Sequence, residues 1–341
     1  LKSLNLTDFD TSNVTNMAGM FAYNTNLTEI IGLENFNTSK VTDMSSMFNH
    51  CSSLESLDVS GFDTSKVTNM RSMFNDAQSL ISLDVSNFNT SKVTEMAYMF
   101  AVCRNLTSLN LTNFNTSSVI SMQGMFSMWD GSKNYGNLIS LNLNNFDTSN
   151  VTNMKDMFAC NTNLQELNIS NFDTSNVVVM YHMFFYCNSL TSLNLTNFNT
   201  TNVTDMEGMF AGCKNISSLD VTSFNTANVT NMRSLFNDVS SLASLDVSNF
   251  DTSNVIDMSY MFANLSQITK LNLCNFNTSK VTDMTYMFRL DKNLTQIYVG
   301  PNWTTSNATT DNMFYNSGVS SVTQSNNCEY DAEDISVSLQ T

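Results

Sequence analysis

The chain has 341 residues, a formal net charge of −16 and a pI near 4.2, yet only 13% of its residues are charged. An acidic balance of this size argues against nucleic acid or anionic lipid as a charge-driven partner, and the low charge density implies a surface of neutral Ser, Thr and Asn. The 42% apolar fraction supplies a core, no stretch is long and apolar enough to span a membrane, and one proline and ten glycines leave the turns to Asn, Asp, Ser and Thr, whose side chains bond their own backbone.

The first residues, Leu1, Leu4 and Leu6, already lie inside a repeating pattern. With no initiator Met and no signal peptide, the chain reads as a piece of a longer protein whose export signal, anchor and further domains lie outside it. A solenoid needs a cap at its start, so these leucines should leave an apolar end or be covered by association.

A Met-Phe pair then marks the period. Its Met falls at Met20, Met47, Met73, Met99, Met125, Met157, Met183, Met209, Met261, Met287 and Met313, and Leu235-Phe236 fills the gap. Most spacings are 26 residues, with one of 27 and one of 32. Repetition of this kind overrides the two or three domains that length alone implies.

The third unit, residues 54–79, shows the physics. In "LESLDVSGF", Leu57 and Val59 lie two apart, as on one side of a strand. "DTSK" is a turn, and "KVTNM" places Val67 and Met70 inward on a second extended segment. "RSMFNDA" has the length of one helical turn, 3₁₀ or α, with Met73 and Phe74 inward. One unit cannot bury eight large side chains, but stacked units can, with like residues forming columns. Leu57, Val59, Phe62, Val67, Met70 and Phe74 should all be buried. Twelve coils at about 4.8 Å each would make a rod or arc of about 55–60 Å.

Comparison among units defines one more position. The residue before the recurrent Thr is Asp or Asn each time, as in Asp10, Asn37, Asp63, Asn89 and Asp251. A site that accepts both needs an acceptor atom rather than a charge, which fits an Asx turn. Calcium depends on carboxylate charge, and neutral Asn holds many of these places.

The sentence LxxLxLxxFxTSxVTxMxxMF, with "LTSLNL" at 106–111 and 190–195, resembles the BspA-type leucine-rich repeat of bacterial surface proteins over residues 1 to about 318. It departs from ordinary leucine-rich repeats in placing Phe (Phe62, Phe88, Phe114) where a buried Asn or Cys is usual. The expected fold is an α/β solenoid: a leucine-rich-repeat-like right-handed stack of about twelve 26-residue coils, with parallel β-strands and short helical turns. The resemblance implies an exported, cell-surface interaction module, adhesin-like, whose partner is an extracellular protein or glycan. The alternative is a structural spacer that displays another domain from the cell wall, for which the monotony of the polar face argues. That face includes the outward Asn110, Asn142, Asn168 and Asn194. Ice binding by the Thr columns is a third reading, weakened because Thr64 and its equivalents follow a turn.

The 32-residue unit inserts six residues after Phe126, in "SMWDGSKNYGN" at 127–137. Loops that break a rigid repeat are where binding tends to reside. Two coils on, "YHMFFYC" places Met183 and Phe184 in the core and leaves Tyr181, His182, Phe185 and Tyr186 at or near the surface. Trp129, Tyr135, Tyr181, His182, Phe185 and Tyr186 are therefore the candidate ligand-binding residues, acting by stacking on a sugar face or a partner side chain. The bland alternative is that the loop folds down and Trp129 covers the rings. Beyond residue 318 the period is lost, and residues 319–341 should begin as a cap with Val319 and Val322 on the last coil.

Seven cysteines make no disulfide framework by count. Cys51, Cys103, Cys187 and Cys213 share one repeat position; they read either as small buried thiols or, for neighbours Cys187 and Cys213, as a bond. His50 and His182 lie five coils apart, too far to share a metal. No C-x-x-C, P-loop, dinucleotide fingerprint or nucleophile elbow occurs. The sequence therefore predicts no enzyme, no cofactor and no metal.

Overall fold

The computed structural model describes residues 1–131 and 136–325. The chain winds as a stack of coils, each with three sides, and every inter-coil pairing is parallel.

On the leucine side, strands form in three patches. β1 (Ser3–Asn5) pairs with β2 (Glu29–Ile31), β3 (Ser140–Asn142) with β4 (Glu166–Asn168), and β5 (Lys270–Leu273), β6 (Gln296–Val299) and β7 (Thr323–Gln324) form a three-stranded sheet. Equivalent residues pair, as in Leu4 with Ile30 and Leu271 with Ile297. Between the patches this side carries only sparse links, such as Ile81 N–H to Glu55 O at 3.3 Å. The middle leucine is enclosed unevenly: Leu54 and Val59 are buried, but Leu57, expected in the core, is half-buried, while its equivalents Leu83, Leu219 and Leu245 are buried.

The second side, V-T-x-M, is continuous. Eleven parallel bridges run without a break from Asn16 through Asp43, Asn69 and Val179 to Thr309, and so link twelve residues, one per coil. β-branched Val and Thr suit this extended segment.

The third side, M-x-x-M-F, is not helical, so the expected short helical turns and the α/β class are corrected to an almost helix-free parallel solenoid. Among the described residues the one helical element is a 3₁₀ turn at Leu33–Asn35, outside this segment. The reason is backbone handedness. Ser46 and His50 have φ of 56° and 57°, Ser72 and Asp76 of 55° and 61°, His182 and Tyr186 both of 55°. Two left-handed residues four apart, in every coil except that of Gly124, which has the first alone, forbid a right-handed helix. Alternate amides close tight turns within the coil, as in Met47 N–H to Met44 O. The others cross to the next coil: Met44 to Asn69 O, Ser46 to Arg71 O, Phe48 to Met73 O and His50 to Asn75 O, at 2.7–3.0 Å. Bonds that a helix would keep inside the turn here join neighbouring coils.

The core is built of columns. Val67, Met70, Met73 and Phe74 are 0% exposed, as are equivalents such as Val177, Met180, Met183 and Phe184. The Met-Phe rings stack nearly parallel, with centroids 5.8 Å apart for Phe48–Phe74 and 5.7 Å for Phe158–Phe184 and Phe184–Phe210. Phe62, Phe88 and Phe114 are buried beside them.

Three side-chain ladders complete the corners. The recurrent Thr is buried from Thr11 to Thr278. Thr174 Oγ1 donates to Asn199 O at 2.9 Å and accepts Asn199 N–H at 2.8 Å, and Thr64 treats Asn89 alike. This threonine ladder runs two residues after the Phe column, and it leaves Thr64 and its equivalents no surface to offer ice. Where Asn precedes the Phe, from Asn87 onward, it reaches back a coil, as Asn145 Nδ2 does to Leu111 O and Phe114 O. Asn176 Nδ2 likewise donates to Ser149 O at 2.7 Å.

The Asx turns form as the sequence implied: Asp10 accepts Ser12 N–H, Asn37 accepts Ser39 N–H, and Asp63 accepts Ser65 N–H. The hydroxyl and then the backbone N–H of Ser65 hold the Asp63 carboxyl below the ordinary carboxylate value, and those of Ser149 do the same for Asp147.

At the start of the stack Leu1 and Phe9 are exposed, while Leu4 and Leu6 pack partly against the core. At the other end Val319 and Val322 are half-buried against the core, and β7 pairs with β6. Residues 326–341, the rest of the expected cap and Cys328 included, lie outside the described residues.

Candidate functional site: an aromatic edge beside the inserted loop

The left-handed columns set the outer edge of the third side. Most coils place Ser, Asn, Asp or Gly in them, residues with low cost at positive φ. Tyr98, His182 and Tyr186 occupy them as well, with φ of 59°, 55° and 55°. Each ring lies over a glycine of the next coil. A Cβ on Gly124 would collide with the Tyr98 ring, and one on Gly208 with the His182 ring; at Gly212 it would come within 3.0 Å of Tyr186. Ring and glycine are thus a matched pair 26 residues apart, a signal that the sequence reading missed.

The inserted loop meets these rings. Trp129 is 53% exposed, and its ring packs edge-on against Phe185, at a centroid distance of 5.4 Å and an angle of 70°. Phe185 stacks on His182 at 4.0 Å and meets Tyr186 edge-on at 4.5 Å. His182 stacks on Tyr181 at 3.9 Å, and Lys155 Nζ lies 4.7 Å from the Tyr181 ring centre. Tyr181, His182, Phe185 and Tyr186 are all half-buried. The structure therefore brings five of the six candidate residues into one surface, with Trp129 touching the rings while more than half of it stays open. Tyr135 lies outside the described residues.

Carboxylates border the patch. His182 Nδ1 lies 3.6 Å from Asp156 Oδ1. Partial burial, with the charges of Glu207, Asp156 and Asp205, raises the Tyr181 hydroxyl above its ordinary value. Burial also raises Asp205. The patch is a neutral aromatic surface with an acidic border and one cation over a ring.

The competing surface is more constrained than the sequence implied. Asn110, Asn142, Asn168 and Asn194 are exposed, but each Oδ1 accepts a backbone N–H two residues on, from Thr112, Asn144, Ser170 and Thr196. Cys51, Cys103, Cys160, Cys187 and Cys213 are free and buried. Cys187 and Cys213 Sγ each donate to a Phe carbonyl of the preceding coil at 3.1 Å, so the suggested bond between them is absent and the buried-thiol reading holds. Burial pushes the Cys213 thiol up to about 12. Cys274 is disulfide-bonded. No cluster of three or more His, Cys, Asp or Glu among the described residues could hold a metal ion.

The family described as Mycoplasma protein of unknown function, DUF285, matches residues 1–83, 57–137, 127–241 and 206–327. The chain belongs to this family. No curated protein matches it. Among solved structures, this DUF285 chain is similar to a leucine-rich repeat protein from Bacteroides ovatus at 17% identity and a TM-score of 0.44, over 92% of this chain and 84% of that one. It is similar to an internalin (InlF) from Listeria monocytogenes at 15% identity and a TM-score of 0.20, over 90% and 82%. The functional domain of InlJ from the same organism, whose structure includes a cysteine ladder, gives 16% identity and a TM-score of 0.14, over 88% and 74%. The solenoid reading rests on this chain's own ladders and columns.

Proposed function

We propose that this DUF285 chain is a non-enzymatic interaction module of a bacterial surface protein of the BspA-like kind, acting outside the cell on an extracellular protein or glycan. The observation that carries the reading is local: beside the inserted loop, Trp129, Tyr181, His182, Phe185 and Tyr186 form one partly open aromatic surface. Aromatic groups ringed by polar ones, on a rigid scaffold, are what interface anchors are made of. The inter-coil ladders supply the rigidity. The same ladders favour a second reading, a stiff spacer that holds another domain away from the cell surface.

Beads coated with the chain, presented to matrix proteins, cultured cells and a glycan array, separate the two. The wild type should adhere, and Trp129→Ala with Tyr181→Ala should weaken adhesion by about tenfold or more while the circular dichroism spectrum is unchanged. Adhesion unaffected by both substitutions would refute the aromatic surface, and no adhesion at all would favour the spacer.

A further inference from the structure

Trp129 has a second neighbourhood. It also lines a pocket of about 210 Å³ whose lining reaches back to the earlier coils. Ala101, Val102 and the aromatic Tyr98 also line it, with Asn75, Asp76, His50 and Asp130 as the polar members.

Both aromatic residues are held in place. The Tyr98 ring lies over Gly124, its hydroxyl accepts Gln123 Nε2–H at 2.5 Å, and the Arg71 guanidinium lies 5.3 Å from its centre. Trp129 is fixed by its backbone N–H on Ser127 Oγ at 3.2 Å and by the edge contact with Phe185.

The polar groups are oriented too. Asp76 Oδ2 pairs with His50 Nδ1 at 2.5 Å, Asp76 Oδ1 accepts Gln78 Nε2–H at 2.6 Å, and the His50 ring stacks on Tyr23. Asp130 pairs with the buried Arg104. Asn75 Nδ2 donates to Asn49 Oδ1 at 3.0 Å.

Size and charge narrow the ligand. Drug-sized ligands take pockets of about 300–1,000 Å³, so this one holds a single small ring. Two carboxylates disfavour an anion. Asp130 is paired with the Arg104 guanidinium, and Asp76 is engaged by the His50 ring and the Gln78 amide, so neither carboxylate is left open as a dedicated partner for an incoming Lys or Arg head. A carboxylate with one or two bonds still has lone pairs for a hydroxyl donor. Hydroxyl donors on an uncharged ring with apolar C–H faces answer to these features together: the faces meet the rings of Trp129 and Tyr98, and the hydroxyls meet Asp76, Asp130, Asn75 and His50.

We propose that this pocket binds one neutral sugar residue against Trp129 and Tyr98. The site shares only Trp129 with the aromatic surface proposed above and does not need that surface to be correct. The chain has two tryptophans, so Trp303→Phe leaves Trp129 as the sole fluorescent reporter. Methyl glycosides of glucose, galactose, mannose and N-acetylglucosamine are titrated into this protein. At least one should give a saturable, reversible fluorescence change. Tyr98→Ala, and separately Asn75→Ala, should each raise its Kd by about tenfold or more with folding checked by circular dichroism. Tyr181→Ala, beyond Phe185, should leave it unchanged. Three results would each overturn the proposal: no response to any of the four glycosides, a response to N-acetyl-lysine methylamide in their place, or a sugar response lost in Tyr181→Ala and kept in Tyr98→Ala and Asn75→Ala. Tyr98→Ala should also leave bead adhesion through the aromatic surface intact, which separates failure of the pocket from failure of that surface.

Discussion

Replacing Thr174 by valine tests what holds neighbouring coils together at the threonine corner. Thr174 is fully buried, and its hydroxyl serves Asn199 twice, donating to the carbonyl at 2.9 Å and accepting the amide at 2.8 Å. Valine has nearly the same shape, so Thr174→Val opens no cavity and isolates the hydroxyl. Two hydrogen bonds are lost, each worth about 1 kcal/mol net, and a stranded buried partner would cost about 1–3 kcal/mol more. Asn199 itself is exposed, so water can reach part of what is uncovered, and the cost should fall near 2 kcal/mol. Urea unfolding followed by circular dichroism gives the midpoint shift, and amide exchange of the 196–202 segment gives the local effect, which matters because repeat stacks open locally. Thr174→Ser keeps both hydrogen bonds and loses one methyl, so it should cost about 0.8 kcal/mol and leave Asn199 protected. If Thr174→Val unfolded within about 0.5 kcal/mol of wild type, with unchanged exchange at Asn199, the ladder would be ornament and the Thr column would need another explanation.

Asp291 takes the place that Cys187 holds in its own coil; its Oδ1 accepts Leu265 N–H at 2.7 Å, and burial raises its carboxyl from 3.8 to about 8. The folded state thus favours the neutral acid, a contribution present in full below about 3.8 and lost as pH rises through about 8. Melting curves should show wild type losing stability across that window relative to Asp291→Asn, while carboxylates common to both proteins cancel; parallel curves would refute the assignment. The free thiols of Cys51, Cys103, Cys160, Cys187 and Cys213 should resist an aromatic disulfide reagent in the native protein and react on unfolding, because they are buried, and the thiols of Cys51, Cys103, Cys160 and Cys213 are raised to about 11–12. Rapid labelling of native protein would contradict their burial.

The repeat made much of the fold legible because buried columns demand like residues at like positions. Val67, Met70 and Phe74 follow from that demand alone, and so does the Asx turn at Asp63. The M-x-x-M-F segment misled because spacings of three and four residues suit a helical turn and an alternating run of tight turns equally well. The distinguishing residues lie between the methionines. Gly19, Gly124 and Gly208 fall at one left-handed place in their coils, where Ser46, Asp156 and Asn312 stand in others. Such residues tolerate positive φ and offer nothing to a helix interior. Leu57 is only half-buried although its equivalents Leu83, Leu219 and Leu245 are buried, a difference within one column that the repeat pattern does not show. At the site, an exposed Trp in a loop and an unusual aromatic run were visible in sequence. Their contact was not, since it depends on where the loop leaves the stack, and the seating of His182 on Gly208 becomes visible only when successive coils are laid over one another.

The amides of Met44, Ser46, Phe48 and His50 all point toward the following coil, and those of Met180, His182, Phe184 and Tyr186 do the same. Against these four, the Thr42 amide points back to Thr15. Peptide units oriented alike add their dipoles, as they do along a helix axis. The corner therefore gives the stack an electrical polarity along its length, with the positive pole toward the higher-numbered coils. An α-helix has its positive pole at its N-terminus, so the sense here is reversed. Two such stacks set end to end would meet less repulsion from their shared net charge of −16 in head-to-tail order than head to head.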